Sequence, residues 1–261
     1  MVNVIRNNLI IPGSGHLPLS VAQPFPFDMT AFPPSLLRLF VPQRSNEAAL
    51  RNYVNVAVPG VVVGDPVYYD ADLGALLGAG SYINAGVDSP SAFTYFGVVQ
   101  KKTGVVANNT KMSLLGNYNN VDTGSNGIGD LVLFDNADVL KVLASLGAGT
   151  GTITSSIAVN DIAESAWMFW AATGSVAAGV TIYRGYGGSV TSPAPSAIAS
   201  RPNSNTGTNL RVGYHKHASS YTGKAVSGLL GIAPVVLDEA GVTAIYNYLR
   251  GDFADYYGIT F

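Results

Sequence analysis

Leu237-Asp238-Glu239-Ala240-Gly241-Val242-Thr243-Ala244-Ile245-Tyr246-Asn247-Tyr248-Leu249 closes a stretch, residues 209–259, whose reading decides the fold. Val242, Ile245, Tyr246 and Leu249 stand at i, i+3, i+4 and i+7, which puts one apolar stripe on a helix. Asp238 is a natural N-cap, and Glu239 sits where the positive end of the helix favours an acid. Two runs precede it: Leu210-Arg211-Val212-Gly213-Tyr214, and Gly223-Lys224-Ala225-Val226-Ser227-Gly228-Leu229-Leu230-Gly231-Ile232. Both alternate between apolar and small or polar residues and are bounded by Gly and Ser, so both read as strands.

Further strands follow the same logic. Val56-Ala57-Val58 and Val61-Val62-Val63 flank the turn dipeptide Pro59-Gly60, and Val67-Tyr68-Tyr69 follows Asp65-Pro66. Tyr82-Ile83-Asn84 leads through Asp88-Ser89-Pro90 into Phe93-Thr94-Tyr95-Phe96-Gly97-Val98-Val99. Lys111-Met112-Ser113-Leu114-Leu115-Gly116 and Gly129-Asp130-Leu131-Val132-Leu133-Phe134 form a pair, and residues 153–157 read as another strand. Trp167-Met168-Phe169-Trp170-Ala171-Ala172-Thr173 turns into Gly179-Val180-Thr181-Ile182-Tyr183-Arg184-Gly185. Residues 186–208, rich in Pro and Ser, read as an excursion over the surface.

In order and spacing these runs resemble concanavalin A-like or laminin G-like jelly-roll domains. The resemblance rests on Arg211-Val212-Gly213-Tyr214, on Tyr221-Thr222-Gly223-Lys224, on the Leu237-Asp238-Glu239 helix, on the Tyr82-Ile83 and Phe93-Thr94 strands expected as a pair, and on the Trp-containing strand ending in Ala172-Thr173. It spans about two-thirds of the chain and implies an all-β, two-sheet antiparallel sandwich with a short C-terminal helix beneath it. It carries no catalytic residue.

Composition narrows the functional classes. No cysteine is present, so neither disulfides nor thiolate metal sites hold the fold. Charged residues are 11% of the 261, against roughly 25% in ordinary domains. With a net charge of −2 and no basic run beyond Lys101-Lys102, nothing points to nucleic acid. No window approaches the ~20 apolar residues of a membrane helix, and the N-terminus shows no export signal. Seven prolines between Pro12 and Pro42 lie among Phe25, Phe27, Phe32, Leu36 and Phe40. That density excludes a long helix or central strand, so residues 1–55 read as an extended arm that docks on its own body or on a neighbouring subunit. Residues 56–261 form the jelly roll.

A glycosidase needs two carboxylates about 5–9.5 Å apart. The chain has three glutamates, Glu47, Glu164 and Glu239, and no Glu-x-Asp-x-x-Glu strand. Asp135 with Asp138, and Asp70 with Asp72, read as turn residues. Asp122-Thr123-Gly124-Ser125-Asn126-Gly127-Ile128-Gly129-Asp130 imitates a calcium loop but lacks its third and twelfth ligands, so no cofactor or metal is expected. His215 and His217 form a His-x-His pair without a nearby acid.

Sugar recognition on sandwiches uses aromatic faces with polar loop groups. Tyr118, Asn119, Asn120, Tyr214, His215, His217 and Tyr221 are the candidate contacts. The resulting expectation is a non-enzymatic, homo-oligomeric virion component in a tail, fibre or capsid-surface position. Its arm would bind other virion proteins and its lectin-like body a host surface glycan. A polysaccharide depolymerase and a purely protein-binding assembly module are the alternatives.

Overall fold

The computed structural model describes residues 26–43, 45–68, 73–100, 111–119, 128–136, 138–146, 151–201, 208–215, 221 and 223–261. Their strands, numbered in chain order, make two antiparallel sheets. One contains β1 (Arg38–Phe40), β3 (Val67–Tyr68), β4 (Ala75–Gly78), β6 (Phe93–Gln100), β11 (Trp167–Ser175), β12 (Gly179–Tyr186), β13 (Ser189–Thr191) and β15 (Lys224–Ala233). The other contains β2 (Val61–Val63), β5 (Tyr82–Asn84), β7 (Met112–Gly116), β8 (Leu131–Asn136), β9 (Val139–Ser145), β10 (Thr152–Ala158) and β14 (Arg211–Val212). The first runs in the order β13-β12-β11-β6-β15-β4-β3, with β1 also against β15; the second runs β10-β9-β8-β7-β14-β5-β2. The protein is thus the all-β jelly-roll sandwich the sequence implies.

The sheets close on a core that includes Phe40, Ile83, Phe93, Tyr95, Leu115, Phe134, Trp170, Ile182, Val212 and Ile232. The eight-stranded sheet is buried on its far face as well, where Phe96, Val98, Phe169, Tyr183 and Leu229 meet Val242, Ile245, Tyr246, Leu249 and Phe253. This explains why β6 and β15 read as nearly unbroken apolar runs: a strand covered on both faces has no solvent side to alternate with. Close approach is built into that face. A Cβ at Gly231 would lie 2.0 Å from the Phe96 ring, so only glycine lets the ring lie on the β15 backbone.

The covering helix α2 (Glu239–Tyr248) begins where the sequence places it, with Asp238 Oδ1 accepting the Gly241 N–H at 2.9 Å. It runs on through a five-residue π turn, Leu249–Phe253, into α3 (Ala254–Tyr257), which ends at Gly258 in the left-handed region, φ 65°. Part of the N-terminal region covers the same face. Phe32, Leu36, Leu39 and Val41 are buried there, Phe27 packs on Phe253, and Ser45 caps a short helix, Asn46–Leu50. Residues 1–25 lie outside the described residues.

Three local expectations change. Residues 56–58 form a turn, with Asn55 accepting from the Ala57 and Val58 N–H groups, so the two valines stand out to solvent instead of pairing. The Tyr82 and Phe93 strands do not pair. β5 and β6 belong to opposite sheets, because the connection through Pro90 crosses the sandwich. Residues 186–208 include the edge strand β13, and Arg201 is buried. A lone buried arginine leaves no mark on hydrophobic periodicity.

Candidate functional site

The outer face of the seven-stranded sheet carries the side chains that alternate with its core residues. Ile83 and Val212 point into the sandwich, so Tyr82 and Arg211 point away from it. Ser113, Leu133 and Lys141 share that face, because they lie opposite one another across β7, β8 and β9. Register shifts interrupt β7 after Ser113 and β8 after Phe134, placing Asp135 at an irregularity. Such bulges re-aim side chains.

A continuous row of rings crosses this face. Tyr82 stacks on Tyr214 at 5.0 Å between centroids and 24° between planes. Arg211 lies against both, its Cζ 5.2 Å from the Tyr82 centroid and 5.6 Å from that of Tyr214. His215 follows, 6.2 Å from Tyr214, 6.2 Å from Tyr118 and 4.5 Å edge-on from Tyr221. It is 1% exposed, and its Nδ1 is hydrogen-bonded to the Ser113 hydroxyl. Beyond it, Lys111 Nζ lies 5.5 Å from the Tyr221 ring and 2.5 Å from Asp135, which also holds Lys141 at 2.5 Å. Tyr118, Tyr214 and Tyr221 are half-buried.

Four of the residues chosen from sequence, Tyr118, Tyr214, His215 and Tyr221, therefore meet. Asn119 serves structure: it is buried and its backbone pairs with Ile128. Asn120, His217 and residues 122–127 of the calcium-like loop lie outside the described residues. The loop's last acid, Asp130, is occupied by a salt bridge to Arg201 at 2.6 Å. Among the described residues no three His, Asp or Glu side chains gather as a metal site. Sequence reasoning passes over Tyr82, Arg211, Lys111 and Lys141. The alternation Leu210-Arg211-Val212 already fixes which way Arg211 points, but not which strands it faces.

Electrostatics set Asp135 apart from a catalytic acid. Burial alone would raise its pKa, yet hydrogen bonds and charge from Lys111 and Lys141 outweigh that and hold it below the ordinary value. Lys111 is correspondingly raised: burial opposes its charge, but the Asp135 carboxylate prevails. A carboxyl with a depressed folded pKa stabilises the protein above its unfolded value, and the contribution fades as pH falls through the folded one. The stability gap between the protein and its Asp135→Asn variant should thus be constant from about pH 5 to 7 and shrink below about pH 4. Solvent screening limits it to about 1 kcal/mol or less. Urea unfolding of both proteins against pH checks this; a gap that widens on acidification would contradict the assignment.

No protein-family model matches the chain, and no curated protein matches it in sequence. Solved structures do share its fold. The botulinum neurotoxin type G receptor-binding domain superposes with a TM-score of 0.59 at 14% identity, over 83% of this chain and 52% of that one. A structure of botulinum neurotoxin type C, which interacts with two ganglioside molecules, gives 0.56 at 12% identity over the same shares. The Ruminococcus gnavus IT-sialidase CBM40 bound to α2,3-sialyllactose gives 0.48 at 15%, over 66% and 95%. The chain thus spans about half the length of the toxin domains. The chain shares the antiparallel β-sandwich fold of the toxin domains.

Proposed function

We propose that this protein is a non-catalytic recognition module that binds a glycan on the outer face of its seven-stranded sheet. The observation that carries this is the row Tyr82, Tyr214, Tyr118 and Tyr221, half-buried around the buried His215. Rings of this kind stack on the apolar faces of sugars, and packing against one another and against Arg211 orders them before a ligand arrives. The ganglioside-interacting toxin with the same fold supports the reading. Asp135, its pKa held down by two lysines, does not suit the role of a glycosidase's general acid.

The finer part of the proposal is a virion surface component, and it rests on sequence: no cysteine, 11% charge and a proline-rich arm suited to docking on neighbouring virion proteins or a second copy. One observation favours protein contact as a second reading. Val56, Val61 and Val67 are 65%, 59% and 55% exposed beside the edge strands β2 and β3, and exposed apolar edges mark interaction surfaces.

A glycan array separates the readings. The protein should bind a restricted set of glycans, and Tyr214→Ala should weaken binding about tenfold or more without changing the thermal midpoint by more than about 2 °C. Absence of any bound glycan would leave only the protein-contact reading.

A further inference from the structure

Two arginines in this chain are treated in opposite ways. Arg201 is deeply buried and makes four hydrogen bonds: its Nε donates to the Ser91 carbonyl, and its terminal nitrogens to both Asp130 oxygens and the Pro90 carbonyl. Arg211, half-buried on the outer face, rests its guanidinium against Tyr82 and Tyr214. Its Nε is shut away from water, and among the described residues no group accepts a hydrogen bond from it. A guanidinium is always charged and presents five donors in a rigid fork. Ring stacking fixes the plane of that fork but spends none of its donors, so Arg211 is oriented and unused.

The far end of the same face repeats the imbalance, since Lys111 and Lys141 share the single carboxylate of Asp135. Among the described residues, Arg211, Lys111 and Lys141 therefore share one acid, Asp135, on a protein whose net charge is −2. Arg211 pairs across the sheet with Gly116, and Lys111, next to Met112, stands five residues away along the same chain. At strand spacing the two backbone positions lie ~17 Å apart. The rings of Tyr214, His215, Tyr118 and Tyr221 fill the interval.

The geometry points to an acidic glycan as the ligand: one carrying a carboxylate or sulfate that docks on the fork of Arg211, lays its rings on the tyrosines and directs further charge toward Lys111 and Lys141. This inference rests on the glycan-binding reading above and adds the charge class. A carboxylate or sulfate matches the two terminal nitrogens of the fork with two parallel charge-assisted hydrogen bonds, whereas a neutral hydroxyl leaves the cation uncompensated.

The test uses the full chain on an array of matched glycans, each carboxylated sugar beside its methyl ester and each sulfated sugar beside its desulfated parent. Every bound glycan should be acidic, with its neutral match at least about tenfold weaker. Binding should fall as NaCl rises from ~50 to ~300 mM. Arg211→Met should lose about ten- to a hundredfold in affinity, and Arg211→Lys, which keeps the charge without the fork, should lose less. If the Met variant proves unstable in a thermal melt, Lys141→Met at the exposed end and the salt dependence decide. Equal binding of acidic and neutral partners, or full affinity in Arg211→Met, would overturn the inference and leave the glycan-binding reading standing. No bound glycan at all would defeat that reading and this one with it.

Discussion

Asp130→Asn should cost the fold about 3–5 kcal/mol, because it strips the counter-ion from a buried guanidinium. Arg201 and Asp130 have side chains 0% and 1% exposed, joined by two hydrogen bonds of 2.8 and 2.6 Å. Asp130 also accepts from the Tyr95 hydroxyl at 2.8 Å and the Ser145 N–H at 3.2 Å. Burial pushes the Tyr95 phenol well up and the Asp130 charge adds to it, so Tyr95 stays protonated as a donor. For Arg201, burial would lower the pKa but the Asp130 carboxylate more than reverses this. The network ties β6, the segment around Pro90, the start of β8, the end of β9 and residue 201 to one point. With 2–4 °C per kcal/mol in a domain of this size, the thermal midpoint should drop by roughly 10 °C. Asp130→Leu combined with Arg201→Met should recover much of the loss, since apolar replacements remove both charges together. Urea unfolding of the single and double variants measures this, and a single-variant loss below about 1 kcal/mol would show that the pair does not hold these segments.

Tyr246→Ala should be of similar size, about 3–5 kcal/mol. The ring is fully buried between α2 and the eight-stranded sheet, 5.6 Å from Phe169 and 5.9 Å from Phe261. It lies over Gly185, where a Cβ would come within 2.5 Å of it, so neither the sheet backbone nor the rigid rings around it can close the hole. Its hydroxyl accepts the Gly188 N–H at 3.0 Å. The hydroxyl also donates, more weakly, to the Phe261 carbonyl at 3.4 Å, so Tyr246→Phe should cost only about 1–2 kcal/mol, the loss of these bonds with the ring still in place. Thermal melts of the two variants give the comparison, and equal losses would mean that the hydroxyl, not the ring, anchors the helix.

The C-terminal helix was legible down to its cap. The stripe of Val242, Ile245, Tyr246 and Leu249 and the Asp238 side chain act within a few residues of one another, and all four apolar members are buried. The strands β6, β7, β11, β12 and β15 were legible for the same local reason. The site was half legible. Residue type picked out Tyr118, Tyr214, His215 and Tyr221, because aromatics in polar loops are unusual enough to notice. Their convergence was not visible: the Ser113–His215 bond joins positions 102 apart in the chain, and it exists because β14 pairs with β7. Arg211 and the Lys111–Asp135–Lys141 cluster were passed over, since a single charge in a strand looks the same whether it faces solvent or a row of rings.

By itself the sequence determined that apolar residues recur with period two, that one amphipathic helix follows them, and that no thiol contributes. Tertiary structure decided which strands lie beside each other, that β5 and β6 part into opposite sheets, and that Asp130 finds Arg201. The division has one cause. Periodicity and capping are set by neighbours along the backbone, whereas sheet order is chosen by which distant faces bury the most apolar surface together, and no stretch of the chain contains that information alone.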